Sequence, residues 1–261
     1  MRLVRADLHL HTVLSPCGGL DMGAPDIVVR ALDLGIDVLA VTDHNTSRNA
    51  MAVLKAAEGT GLLVLAGIEV QSAEDIHAVT LFGTPEEALD FEAWLWEGFP
   101  KTLNRPDLFG PQILIDQENQ ILGEEPILLV QGARHGIDAI VREARRREGI
   151  CFLSHIDREA FSYPAILGPI PTDYPVDALE LTCRITPGKA QPFRSKYANF
   201  PLLRNSDAHS LDQMERLCST VFRVATPSFS ELKLALRGEA GRGVLDPWGE
   251  KSFLDRDQLA Q

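Results

Sequence analysis

The sequence predicts a closed but distorted barrel of alternating strands and helices. Three observations point there. A length of 261 residues is ordinary for an α/β barrel built as one domain. Apolar runs of strand length alternate with amphipathic stretches of helix length, the mark of βα units. Side chains able to bind metal ions stand where several of the apolar runs end, and barrel sites form at the carboxyl ends of strands.

Taken in order, strands are expected at 3–10, 36–42, 62–70, 77–82, 150–154, 178–182, 202–206 and 219–224, each a short run rich in Val, Ile, Leu and Phe. Helices are expected at 25–34, 48–58, 85–96, 137–147, 188–197 and 228–236. Thr46 precedes the second as a candidate N-cap, and Ser228 with Glu231 fits a capping box at the start of the sixth. About seven strand–helix units are too many for a small open sheet and one short of the eightfold barrel. Residues 1–237 form the barrel domain. An insertion at 98–131, rich in Pro and Gly, carries runs at 112–116 and 120–123 that read as a β-ribbon. The polar tail, 238–261, has one apolar cluster, Val244, Leu245, Trp248 and Phe253, expected to staple it to the barrel.

Composition narrows the function classes. No apolar run is long enough to span a bilayer, and Arg2 and Arg5 stand where a signal peptide needs its apolar centre, so a cytoplasmic protein is expected. Cys17, Cys151, Cys183 and Cys218 are scattered and form no metal knuckle, so reduced thiols are expected. The formal net charge of −12 disfavours broad electrostatic capture of nucleic acid.

The chemistry lies in His9 and His11, His44, Glu69, His155, and Asp207 with His209, all at or just beyond predicted strand ends. One such histidine would usually be structural. Loading a single face with imidazoles and carboxylates, while most helices carry no histidine, points to a metal site of Zn, Mn or Fe type. The segments Asp-Leu-His-Leu-His-Thr (7–12), Val-Thr-Asp-His (41–44), Gly-Ile-Glu (67–69), Ser-His-Ile-Asp-Arg (154–158) and Ser-Asp-Ala-His (206–209) resemble the PHP family, named for polymerases and histidinol phosphatase. The resemblance implies a distorted (β/α)7 TIM-like barrel with two or three divalent metal ions, Zn, Mn or Fe, and phosphate ester hydrolysis. By that resemblance His9, His11, Glu69 and Asp207 hold one metal. Glu69 bridges to a second, completed by His77 and His155, and His44 and His209 hold a third. His77 opens its run and reads as a surface residue on spacing alone; only the resemblance raises it.

Family members commonly place Asp or His in the loop after His11, where this chain has Cys17. A thiolate is a sound zinc ligand, so Cys17 is the candidate that completes the third site. Arg158 and Arg184, near strand ends, are candidate phosphate contacts, because a guanidinium can grip two oxygens at once. Asp43 is expected to orient a ligand imidazole or a water. The reaction expected is attack of a water activated between two metals on the phosphorus of a small phosphorylated substrate, with no membrane and no duplex nucleic acid as partner. The alternatives are a nuclease acting on oligonucleotides, a C–N hydrolase of the amidohydrolase type, and a metal-binding regulatory module without catalysis. The second is disfavoured because no Lys stands at a strand end to bridge metals.

Overall fold

The stretch 72–76 between the third and fourth strands is too short for the helix that a parallel crossover requires, and this spacing sets the topology. The computed structural model describes residues 1–249. Elements run β1 (Arg2–Leu10), α1 (Ala24–Asp33), β2 (Val38–Val41), α2 (Ala50–Ala56), β3 (Leu63–Gln71), β4 (His77–Phe82), α3 (Pro85–Leu95), α4 (Pro106–Phe109), β5 (Ile113–Ile115), β6 (Ile121–Glu124) and α5 (Ile137–Arg146). They continue with β7 (Ile150–Leu153), α6 (Tyr163–Leu167), β8 (Ala178–Leu181), α7 (Pro187–Lys196), β9 (Leu202–Arg204), β10 (Thr220–Val224), α8 (Phe229–Leu236) and β11 (Gly243–Val244).

The main sheet has the order β11-β10-β1-β2-β3-β4-β7-β8-β9. Pairing is parallel at β1–β2, β2–β3, β7–β8 and β8–β9, where a helix connects the strands. Pairing is antiparallel on both sides of β4, and β10 also runs against β1 and β11. The expected uniform βα rhythm is corrected to this mixed sheet. Between β9 and β1 the sheet nearly closes: Asp207 N donates to His9 O at 2.8 Å, His11 N to Ala208 O at 3.0 Å, and Leu8 N to Asn205 Oδ1 at 2.9 Å.

Two apolar layers follow from strand alternation. Val4, Ala6, Leu8, Val38, Ala40, Leu65, Val79, Leu81, Phe152, Ala178, Leu203 and Phe222 fill the barrel interior, closed below by Leu232 and Leu236 of α8. Residues of opposite parity, such as Leu39, Ile68, Phe82, Leu153 and Leu179, face the surrounding helices. Several helices start as the local sequence dictates. Thr84 and Glu87 form a reciprocal capping box on α3, and Ser228 Oγ accepts from Glu231 N on α8. Thr46 is not the cap of α2, which starts after Asn49. Thr46 Oγ1 and Ser47 N instead donate to the buried carboxylate of Glu92, and that competition delays the helix.

The ribbon β5–β6 forms its own two-stranded sheet, anchored to the loop after β1 by Ile113 N to Val13 O (3.0 Å) and to the start of α1 by Ala24 N to Asn119 Oδ1 (2.8 Å). In the tail, Val244 pairs with Phe222, and buried Trp248 donates Nε1 to Ile185 O; Phe253 lies outside the described residues. The expectation of reduced thiols is corrected. Cys183, just after β8, and Cys218, just before β10, form a disulfide with Cα atoms 5.0 Å apart. Their 35-residue separation in sequence hides a proximity that only barrel closure creates. Cys17 and Cys151 are free. Among the described residues no helix is long and apolar enough to cross a membrane.

Candidate metal centre

The alternation that fills the barrel with apolar side chains also builds its top layer. On β3, Leu65 faces inward, and Gly67 and Glu69 follow in the same phase; on β4, His77 shares its phase with Val79 and Leu81. Because β4 runs antiparallel, its first residue lies at the end where the parallel strands finish. That placement turns a histidine that opens its run into a site residue. On β1 the register breaks between Asp7 and Leu10, so inward-facing Leu8 is followed by His9 and His11 at the mouth, with Leu10 on the outer side. His155 and Asp207 have φ of +29° and +50°, left-handed backbone that non-glycine residues hold at a cost of about 1–3 kcal/mol each.

Glu69 is the hub. Its Oε1 lies 3.2 Å from His9 Nε2, 3.0 Å from His77 Nδ1 and 3.3 Å from His155 Nε2. Its Oε2 lies 3.1 Å from His44 Nδ1 and 3.4 Å from His11 Nε2. Asp207 Oδ1 faces His9 Nε2 at 3.4 Å and His11 Nε2 at 3.3 Å. His209 stacks on His11 with ring centroids 4.0 Å apart. Three groups have ligand atoms within 4.8 Å of one another: His9, His11, Glu69 and Asp207; His44, Glu69 and His77; and His11, His44 and His209. His155 joins the cluster through Glu69. Cys17 is exposed and belongs to none of the three groups; His11 is the third donor beside His44 and His209. Of the seven histidines only His135 lies elsewhere, stacked on Trp94 with centroids 4.0 Å apart.

The residues fit a cation. His9 Nε2, His11 Nε2, His44 Nδ1, His77 Nε2 and His155 Nδ1 are buried without a hydrogen-bond partner. Leaving such atoms unsatisfied costs about 1–3 kcal/mol each. Their titration shows how they crowd. Burial disfavours a charged His11, but Asp207 and Glu69 outweigh it and hold its pKa up to about 9. Burial and the charge of His11 push His44 down to about 4 and His209 to about 3. Burial opposes the Glu69 carboxylate, yet His77 and His9 keep it well below the usual carboxylate range.

Surrounding polar groups aim the imidazoles. Ser15 Oγ donates to Asp43 Oδ1 at 2.7 Å and meets His11 Nδ1 at 2.9 Å, so His11 keeps Nε2 for the cluster. Asp43 also accepts from Thr12 N and Oγ1, both at 2.7 Å, and thereby ties the loop after β1 to β2. Glu180 does the same for His9, whose Nδ1 lies 3.0 Å and 3.2 Å from its two oxygens; Glu180 Oε2 also accepts from His155 N at 3.1 Å. Sequence reasoning missed Glu180. Its signal is a carboxylate in the apolar run Ala178-Leu179-Glu180-Leu181, in phase with the inward Ala178. Arg158 donates to Asp207 Oδ2 at 2.6 Å. Arg184 pairs with Glu215 farther along the rim.

Such a barrel, with histidines and carboxylates converging on one mouth, presents a candidate site for metal ions. The chain belongs to the PHP domain family, whose model matches residues 7–165. It is 34% identical over 79 residues to the uncharacterized protein MJ1587 of Methanocaldococcus jannaschii, covering 27% of this chain and 46% of that one. It is 37% identical over 65 residues to an error-prone DNA polymerase of Cutibacterium acnes, 25% of this chain and 6% of the polymerase. The matched segments therefore span less than half of either relative. Among solved structures, the lesion-specific endonuclease PfuEndoQ of Pyrococcus furiosus superposes with TM-score 0.68 at 20% identity, over 94% of this chain and 60% of its own. Endonuclease Q in complex with a 27-mer duplex bearing an abasic lesion at the active site matches with the same score and coverage at 19% identity. An amidohydrolase of Chromobacterium violaceum matches at TM-score 0.55 and 16% identity, over 78% of this chain and 87% of that one. The expectation of a small phosphorylated partner and no duplex nucleic acid is therefore corrected. A protein that shares this fold over nearly the whole chain carries a duplex, and a net charge averaged over the surface does not describe the field at one mouth.

Proposed function

We propose that the protein is a metal-dependent phosphodiesterase that cleaves nucleic acid. The observation that carries this reading is Glu69, whose two carboxylate oxygens divide five imidazoles between them, with Asp207 opposite, so that one carboxylate serves two adjoining cation sites. His9, His11, Glu69 and Asp207 would hold one metal ion, Glu69 with His77 and His155 a second, and His44 with His209 a third. Imidazole with carboxylate suits Zn, Mn or Fe. When bound, such ions supply Lewis acidity for activating water and for neutralising charge on a phosphoryl group.

The chain's own groups do the rest. Glu180 and Ser15 hold the Nδ1 protons of His9 and His11, so both rings present Nε2 inward. Arg158 grips the outer oxygen of Asp207, keeping the inner one on His9 and His11, and lines the adjoining hollow, where it would meet phosphoryl oxygens. The nucleic-acid reading is supported by the PHP resemblance it shares with a polymerase and an endonuclease. The C–N hydrolase reading finds less support, since among the described residues no lysine lies at a strand end beside the cluster and Glu69 would take the bridging place. Elemental analysis of the purified protein, with turnover of bis(p-nitrophenyl) phosphate and of labelled single-stranded, duplex and abasic oligonucleotides in Zn, Mn and Fe, tests the proposal. Absence of oligonucleotide cleavage in every metal would sink it.

A further inference from the structure

The metal centre is not a closed pit. Beyond Asp207 and His209 it opens into a hollow of about 310 Å³, bordered by Arg158, Thr182, Arg184 and the Cys183–Cys218 disulfide. Thr182 and Arg184 also border a second hollow of about 770 Å³, lined further on by Ile185, Lys189, Pro192 and Phe193. The two hollows adjoin at Thr182 and Arg184, and together they make a groove that reaches from the candidate metal ligand Asp207 to the side of α7. Each lies in the size range of ligand sites, about 300–1,000 Å³.

The chemistry of the groove changes along its length. Nearest the metals are a guanidinium and the carboxylate of Asp207. Farther out, the cations Arg184 and Lys189 stand beside the apolar surface of Ile185, Pro192 and the half-buried ring of Phe193. Among the described residues the one carboxylate lining the outer hollow, Asp157, is already engaged by Thr182 N at 2.8 Å and Thr182 Oγ1 at 2.6 Å. In a chain of net charge −12, the wall helix α7, Pro187–Lys196, holds Lys189, Arg194 and Lys196 and no acidic residue. Cations next to an aromatic face match a phosphate next to a base.

We propose that this groove is the track of a single-stranded stretch of nucleic acid leaving the scissile phosphate. Backbone phosphates lie on Arg184 and Lys189, and a base lies against Ile185 and Phe193. Phosphate contacts set the register of the strand, and the stacked base adds affinity without sequence readout. Arg184 exchanges its exposed partner Glu215 for a phosphate, which a guanidinium binds through two donors. The inference rests on the nucleic-acid reading above and adds where the strand runs.

Lys189→Gln and Phe193→Ala, made separately in the full metal-loaded chain, test it. The readout is kcat/KM on a labelled single-stranded oligonucleotide divided by kcat/KM on bis(p-nitrophenyl) phosphate, which is too small to reach α7. Each variant is expected to lower this ratio about tenfold, and Phe193→Tyr, which keeps the ring, to restore it. Lys189→Gln should also reduce the salt dependence of oligonucleotide KM by about 0.7 in log–log slope, one phosphate contact fewer. An unchanged ratio and slope with oligonucleotide still cleaved overturns the groove and leaves the nuclease reading standing. Turnover of bis(p-nitrophenyl) phosphate with no oligonucleotide cleavage by the unmutated protein overturns both.

Discussion

The two ends of the barrel interior are built from the same strands in the same inward phase, yet they do opposite things. At the bottom, Val4, Leu8, Val38, Leu65, Val79, Phe152 and Phe222 pack a dry core. At the top, Glu69, His77, Glu180 and Asp207 continue the inward positions of β3, β4, β8 and the end of β9 with groups that cost free energy to bury. The bottom stabilises the fold by apolar burial. The top keeps buried imidazole nitrogens that lack a hydrogen-bond partner, which a bound cation would satisfy. A barrel thus carries its site by letting one layer hold the scaffold for another.

Separating the two layers by mutation is the direct test of that contrast. The largest effect belongs to the top layer: Asp207→Asn should reduce phosphodiester turnover by at least roughly 10⁴-fold, about 5 kcal/mol in barrier, while circular dichroism of the metal-free chain stays the same. Asn tolerates the left-handed backbone at this position, so substantial remaining turnover would remove Asp207 from the site. In the bottom layer, Phe152→Ala should cost about 3–5 kcal/mol in urea unfolding, by leaving a cavity under the site. If it unfolds no more readily than the parent, the interior is not packed as described. Also in the top layer, behind His9, Glu180→Gln should weaken metal affinity about 10–100-fold by calorimetry. Glu180→Ala should weaken it further, and equal affinity for all three chains would reduce Glu180 to a structural role.

A further test is a pH dependence. Burial pushes Asp7 up to about pH 7, whereas the carboxyl titrates near 3.8 when unperturbed. Across that window the folded metal-free chain retains a proton that the unfolded chain has lost. Its stability therefore falls as pH rises from about 4 to 7. Asp7→Asn should flatten that slope in metal-free unfolding series, and an identical slope in the two chains would show that Asp7 is not its source.

Much of the site was legible in the sequence because metal-binding side chains collected where apolar runs ended. His9, His11, His44, Glu69, His155, Asp207 and His209 all announced themselves that way. His77 did not, because the rule that sites lie at carboxyl ends presumes parallel strands, and only the short 72–76 link reverses β4. Glu180 escaped because it sits inside a predicted strand, where its alternation with Leu179 and Leu181 gave no reason to separate it from the core. Cys183 and Cys218 looked unrelated because they are 35 residues apart in sequence, just after β8 and just before β10, which only closure of the sheet brings together.

Period-two alternation, turn spacing and residue chemistry are local properties, and they were enough to specify a barrel of strand–helix units with metal chemistry at one face. A short link such as 72–76 fixes the direction of one strand, but local patterns cannot report which distant strands pair. The register break that carries His9 and His11 to the mouth, the convergence of five imidazoles on Glu69, and the hollows that reach from Asp207 to α7 all depend on that pairing. Sheet closure sets them, since closure alone brings the end of β9 against β1 and decides which side chains share the space between.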